Sequence, residues 1–168
     1  MFSIMKNSPE DLDKETHEQM IFKDFVRAAG LHVLLGSIHS KEPPLPDISC
    51  ELDGQLHYFE LTRASDQKIA NDVGALLKNT YKTGTGGVGQ AMSYDDREML
   101  RTAIERKNNK TYKTNGAPID LLVYYDGVTS PSPLPDLIDE TFRSLQTESQ
   151  TQWNKIWLYD WPNNRILF

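Results

Sequence analysis

The chain lacks the features that mark several common classes of protein. Its 168 residues contain a single cysteine. A lone Cys50 excludes an internal disulfide, and with it the disulfide-stapled secreted domains. No apolar run nears the roughly 18 residues needed to cross a bilayer. The four histidines, His17, His32, His39 and His57, show none of the spacings of a zinc site. Positive charge is scarce too: 18 Lys and Arg stand against 24 Asp and Glu, for a net charge of −6. That balance argues against a general coater of nucleic acid, whose affinity would come from Lys and Arg. The opening stretch, MFSIMKNSPEDLDKE, turns acidic at once and has no apolar centre of a signal peptide. The expectation is a cytoplasmic protein with no membrane partner.

What is present suits one folded domain. Hydrophobic residues make up 38% and charged residues 25%, enough of each for one core and a solvated surface. Residues 1–15 read as a loose lead and residues 16–168 as a single domain. From Thr16 to Ala29 the spacing is helical, with Ile21, Phe22, Phe25 and Ala29 on one face and Gly30 as the C-cap. Glu18 falls on or beside that apolar face, where a carboxylate needs a partner or a task.

Leu31 to Ile38 reads as a first strand, and a hairpin follows. Ser65 to Tyr81 and Met92 to Lys107 have helical patterns on either side of the glycine loop KTGTGGVGQ. Gly84, Gly86 and Gly89 in that loop match a dinucleotide fingerprint, but the loop follows a helix instead of a strand, so it reads as a plain loop. Ile119 to Tyr125 is a nearly continuous apolar strand, central and buried on both faces. Asp136 to Leu145 reads as a short helix, and Lys155 to Tyr159 and Arg165 to Phe168 as closing strands. This order predicts an α/β layered domain, a central mixed sheet flanked by helices. Trp153, Trp157 and Trp161 read as core or rim packing, and Cys50 as a small core residue.

The hairpin carries the chemistry. Residues 45–63 read LPDISCELDGQLHYFELTR. Asp53-Gly54 is a strong two-residue turn signal, because a type I′ turn needs positive φ at both central positions. Leu52 then pairs with Gln55, and rung by rung Asp47 comes to stand opposite Glu60. Directly opposed side chains lie about 4.5–5.5 Å apart at Cβ, where like charges repel. A divalent cation would explain the pair, since hard cations are held by one or two carboxylates with water and substrate phosphate. A register slipped by one residue would send the two acids to opposite faces.

Pro46-Asp47, then Glu60-Leu61-Thr62 on the next strand, after a helix bearing Glu18, resembles the PD-(D/E)XK nuclease superfamily. That resemblance spans roughly residues 16–126. It implies a restriction-endonuclease-like core in which Asp47 and Glu60, with the Leu61 carbonyl, hold Mg²⁺ or Mn²⁺. It implies Glu18 as a further acidic ligand or water orienter. Gln90 and Tyr94 resemble the Gln-x3-Tyr motif of the exonuclease-like branch, which implies a catalytic place for Gln90 and a substrate contact for Tyr94. The implied activity is metal-dependent phosphodiester hydrolysis, on DNA before RNA.

Thr62 stands where that family has lysine. A threonine hydroxyl can orient water, but it supplies no positive charge. Arg63 points to the other face of a regular strand. Lys78, Lys82 and Lys107 are candidates from neighbouring elements, and a site that binds metal without chemistry is the third reading. A basic stretch, with Arg101, Arg106, Lys107, Lys110 and Lys113, offers phosphate contacts through Arg101, Lys107 and Lys110. Two rivals stand beside the nuclease: an inactive nuclease-like fold serving as a binding or scaffold protein, and an acidic interaction or immunity module whose carboxylates face a basic partner. A protein partner or a homodimer is compatible with all three.

Overall fold

The Asp53-Gly54 turn forms with both residues in the left-handed region, at φ 49° and 78°. It joins β2 (Ile48–Leu52) to β3 (Gln55–Arg63). The register is the expected one: Leu52 faces Gln55, and Ile48 faces Phe59. The structure is a computed structural model, and it describes residues 9–64, 96–127, 143 and 152–167.

Around the hairpin lies a mixed six-stranded sheet in the order β1 to β6, which with its helices makes an α/β fold. The other strands are β1 (His39–Ser40), β4 (Ile119–Tyr125), β5 (Lys155–Asp160) and β6 (Arg165–Ile166). β3, β4 and β5 run parallel, while the two ends of the sheet are antiparallel. Every residue of β4 is buried, which is why its sequence is apolar without alternation.

Helix α1 (Pro9–Ala29) covers one face of the sheet and α2 (Asp96–Asn108) lies against the other. On the α1 side Ile21, Phe22, Phe25 and Val26 pack with Ile48, Cys50, Phe59, Leu61 and Leu122. On the α2 side Met99, Leu100, Ala103 and Ile104 pack with Leu121, Val123, Ile156 and Leu158. Alternation along β3 thus sends Phe59 and Leu61 to α1, and Tyr58, Glu60 and Thr62 the other way. Gly30, at φ 63°, ends α1 as expected: its N–H donates to Arg27 O and the Leu31 N–H to Val26 O.

Two expectations need correction. α1 starts at Pro9, so residues 9–15 are helix instead of a loose lead; proline suits a first helical turn because it lacks an N–H that would go unpaired there. Leu31 to Ile38 is not a strand. Val33 makes one isolated bridge to Leu52, and Leu35–Ser37 is a 3-10 turn. Ser37 is the reason: its N–H and hydroxyl both donate to Leu34 O, and its Oγ accepts from the Glu51 N–H, so the turn is tied to β2 by a side chain. The helix expected over 65–81, the glycine loop and, Arg143 apart, the helix expected over 136–145 lie outside the described residues. Among the described residues no helix is long and apolar enough to cross a membrane.

Candidate active site

One rung beyond the paired strands, Asp47 and Glu60 meet as the register requires. Backbone amides pin both. The Asp47 N–H donates to Glu60 Oε2 at 3.1 Å, and the Leu61 N–H donates to Asp47 Oδ2 at 2.8 Å. The Glu60 side chain is only 3% exposed and that of Asp47 19%. Two carboxylates so shielded need a positive charge nearby.

That charge comes from α2. Lys107 Nζ contacts Glu60 Oε1 directly and lies 3.9 Å from Asp47 Oδ2. Its own side chain is 11% exposed, so the ammonium is buried with the acids. Among the described residues Lys107 is thus a buried basic residue that comes to this pair from a neighbouring element; Lys78 and Lys82 lie outside the described residues. Lys110 Nζ stands 3.9 Å from the same Glu60 oxygen but is 54% exposed, at the mouth of the site. Arg106, one residue before Lys107, donates to Thr62 Oγ1 at 2.7 Å. Thr62 thus locks the end of α2 to β3. Arg63 points away, to Asp126 at 3.2 Å.

A cleft of about 670 Å³ opens over this group, and Glu18, Asp47, Glu60, Lys107, Lys110 and Tyr112 all line it. Glu18 reaches the cleft from α1, whose position is fixed in part by Gln19 donating to Ser40 Oγ. Burial first, and the charge of Asp47 next, hold the Glu18 carboxyl above its ordinary value, while Lys14 and Lys107 oppose the shift. Arg101 is not among the residues that line the cleft; it lies 3.8 Å from Glu105 on its own helix. Gln90 and Tyr94 lie outside the described residues.

Sequence reasoning missed Tyr112. Its hydroxyl is buried beside Glu60. Burial, then the negative charge of Glu60 and a hydrogen bond to it, push its phenol well up, so it is a donor at any ordinary pH. No signal marks it in the polar stretch Lys110-Thr111-Tyr112-Lys113, where neither periodicity nor a motif singles it out.

Can this group hold a metal? Among the described residues no set of three or more His, Cys, Asp and Glu side chains is grouped as a metal cage. Asp47 and Glu60 are hard oxygen donors, and Asp47 Oδ1 makes no hydrogen bond among the described residues. Mg²⁺ ordinarily takes only one or two carboxylates and completes its shell with water and substrate phosphate, so the donor set fits a hard divalent ion.

A second polar group lies on the α1 face of the sheet. Asp120 is 3% exposed. It accepts from Asn154 Nδ2 at 2.9 Å and Trp157 Nε1 at 2.8 Å, and His57 Nε2 lies 3.1 Å from its Oδ1. Burial opposes its charge, yet the donors win and its carboxyl sits below the ordinary value. Cys50 faces His57 across the hairpin, which gathers the residue types of a cysteine triad. The chemistry fails: burial pushes the Cys50 thiol up to about 12, leaving no thiolate near neutral pH. Trp153 and Trp161 donate to Asn108 and Asp24, so all three tryptophans are packed and bonded as expected of core and rim.

No family model, no curated protein and no solved structure matches this chain.

Proposed function

We propose that the chain is a divalent-metal-dependent nuclease with a PD-(D/E)XK-type, restriction-endonuclease-like core, acting on DNA. The observation that carries the reading is Lys107. The motif's lysine position holds Thr62, and an ammonium from α2 nevertheless stands on Glu60, so Asp, Glu and Lys gather at one cleft.

In this reading Asp47 and Glu60, with the Leu61 carbonyl, hold Mg²⁺ or Mn²⁺. Such an ion supplies a Lewis acid for the phosphate and lowers the pKa of bound water. The chain's own residues do the rest. The hairpin amides on Asp47 Oδ2 and Glu60 Oε2 fix both acids, which removes reorganisation from the reaction. Lys107 supplies positive charge beside the scissile phosphate, in place of the missing strand lysine. Glu18, whose carboxyl burial and the charge of Asp47 hold above its ordinary value, is placed to take or give a proton to water at the cleft wall. Lys110 contacts the phosphate at the mouth.

The test is nicking of supercoiled plasmid DNA with Mn²⁺. Wild type nicks it and Glu60→Gln does not. Equal residual nicking by both proteins would remove the assignment. The close Lys107–Glu60 contact also favours the inactive, scaffold reading, in which the lysine only neutralises; metal binding without cleavage would select it.

A further inference from the structure

Lys107 does two incompatible things if the site binds a metal. Its ammonium already occupies Glu60 Oε1, the carboxylate oxygen that no backbone amide holds. A divalent ion and an ammonium cannot share that oxygen without strong repulsion in a shielded site. One of them must leave.

We propose that the Lys107 ammonium is a resident counter-cation, which keeps the place on Glu60 in the free protein and is released into the cleft when a divalent metal binds. The inference rests on the metal-site reading above. Three features of the structure carry it. First, the acids and the lysine come from separate elements. Asp47 and Glu60 are pinned by hairpin amides, whereas Lys107 hangs from the last turn of α2 on a flexible four-carbon stem. The ammonium can therefore swing while the carboxylates stay. Second, the buried charge is undercompensated. Lys107 is one buried ammonium against the Asp47 and Glu60 carboxylates; Lys110 meets Glu60, and Lys14 meets Glu18 at 3.6 Å, only from exposed positions. Water screens those two, so they offset little of the buried negative charge. Third, Glu60 keeps a neutral donor when the lysine goes. The buried Tyr112 hydroxyl borders the same space as Lys107 and sits beside Glu60, so the carboxylate is not stripped of every side-chain partner by release of the ammonium.

Released, the ammonium remains in the cleft it lines and faces whatever anionic group enters. Metal entry would then arm the lysine, so that the positive charge is free for a phosphate only when the ion is in place. The two states differ in where the Lys107 ammonium sits, and each ligand biases them by its own contacts.

Calorimetric titration of the whole chain with Mg²⁺ and Mn²⁺ tests this on wild type, Lys107→Met and Lys110→Met. Lys107→Met is expected to bind either ion roughly tenfold or more tightly than wild type, because a like charge has left the site. Lys110→Met is expected to differ from wild type by less than about threefold, since its charge is screened by water. Equal or weaker binding by Lys107→Met overturns the inference and leaves the metal site standing. No binding by any of the three proteins removes the metal-site reading, and the inference with it. A second measurement uses wild type alone and does not depend on the variant folding. Limiting acetylation, read by peptide mass spectrometry, is expected to modify Lys107 several-fold more at saturating Mg²⁺, relative to the exposed Lys155. Unchanged Lys107 reactivity under Mg²⁺ saturation that calorimetry has confirmed contradicts the release.

Discussion

The two faces of the sheet each bury a carboxylate, and they solve the problem differently. On the α1 face Asp120 is surrounded by donors on neighbouring strands and the lead-in to β5: Trp157, the nearby His57 and Asn154. On the α2 face Glu60 is served by one backbone amide, the Tyr112 hydroxyl and a lysine on a long stem, with a second acid beside it and a cleft above. A carboxylate met by several short-range donors on packed side chains is finished, and its place is in the architecture. A carboxylate met by a movable charge, with a like charge next to it and solvent within reach, has capacity left for a ligand. The distinction lies in how the charge is compensated, since burial alone is nearly the same for both, at 3% and 2% exposed.

Substitutions can break this comparison. The largest effect is expected at the cleft, where Glu60→Gln should lower Mn²⁺-dependent cleavage by about a thousandfold, equal to roughly 4 kcal/mol of barrier, in a nicking time course. Asp120→Ala should do the converse. It should cost about 3 kcal/mol in a urea melt, by leaving the Trp157 and Asn154 donors unpaired, and leave the affinity for Mn²⁺ unchanged. Lys107→Met should also destabilise in chelator, by about 3 kcal/mol, because it strands Glu60 in a shielded site. Added Mn²⁺ should restore much of that loss, whereas it should restore none for Asp120→Ala.

The smaller effects sharpen the contrast. Asp120 has its carboxyl held below the ordinary value of 3.8, so the unfolded chain takes up its proton first as pH falls. Its stabilisation is complete above that value and fades as pH drops through the lowered one. Between about pH 5 and about pH 3, wild type should therefore lose more stability than Asp120→Asn in matched urea melts. Asp47→Asn should raise the stability of the metal-free protein by less than about 1 kcal/mol. It relieves repulsion with Glu60, yet Lys107 already offsets part of that repulsion.

The sequence made one of these faces legible and hid the other. Asp53-Gly54 dictates its own turn, and the turn dictates the rungs, so the approach of Asp47 to Glu60 follows from local backbone chemistry. The continuous apolar run of β4 and the Gly30 cap were readable for the same reason. What was not readable depends on docking between distant segments. Nothing local says that Lys107 reaches Glu60, because that depends on how α2 lies against β3. Two partners of Asp120, Asn154 and Trp157, come from β5 and its lead-in, far along the chain. Ser37 turned an apolar run into a 3-10 turn by bonding to Glu51, a contact that no periodicity carries. Arg101 does not line the cleft, and charge clustering in sequence does not say which helix face meets it.

The central claim is that Asp47 and Glu60 form a cation site. Calorimetric titration of Mn²⁺ into wild type and Asp47→Ala tests it most directly. The account predicts one saturable site per wild-type chain and none in the variant. Identical isotherms for the two proteins, or no heat of binding in either, would contradict it.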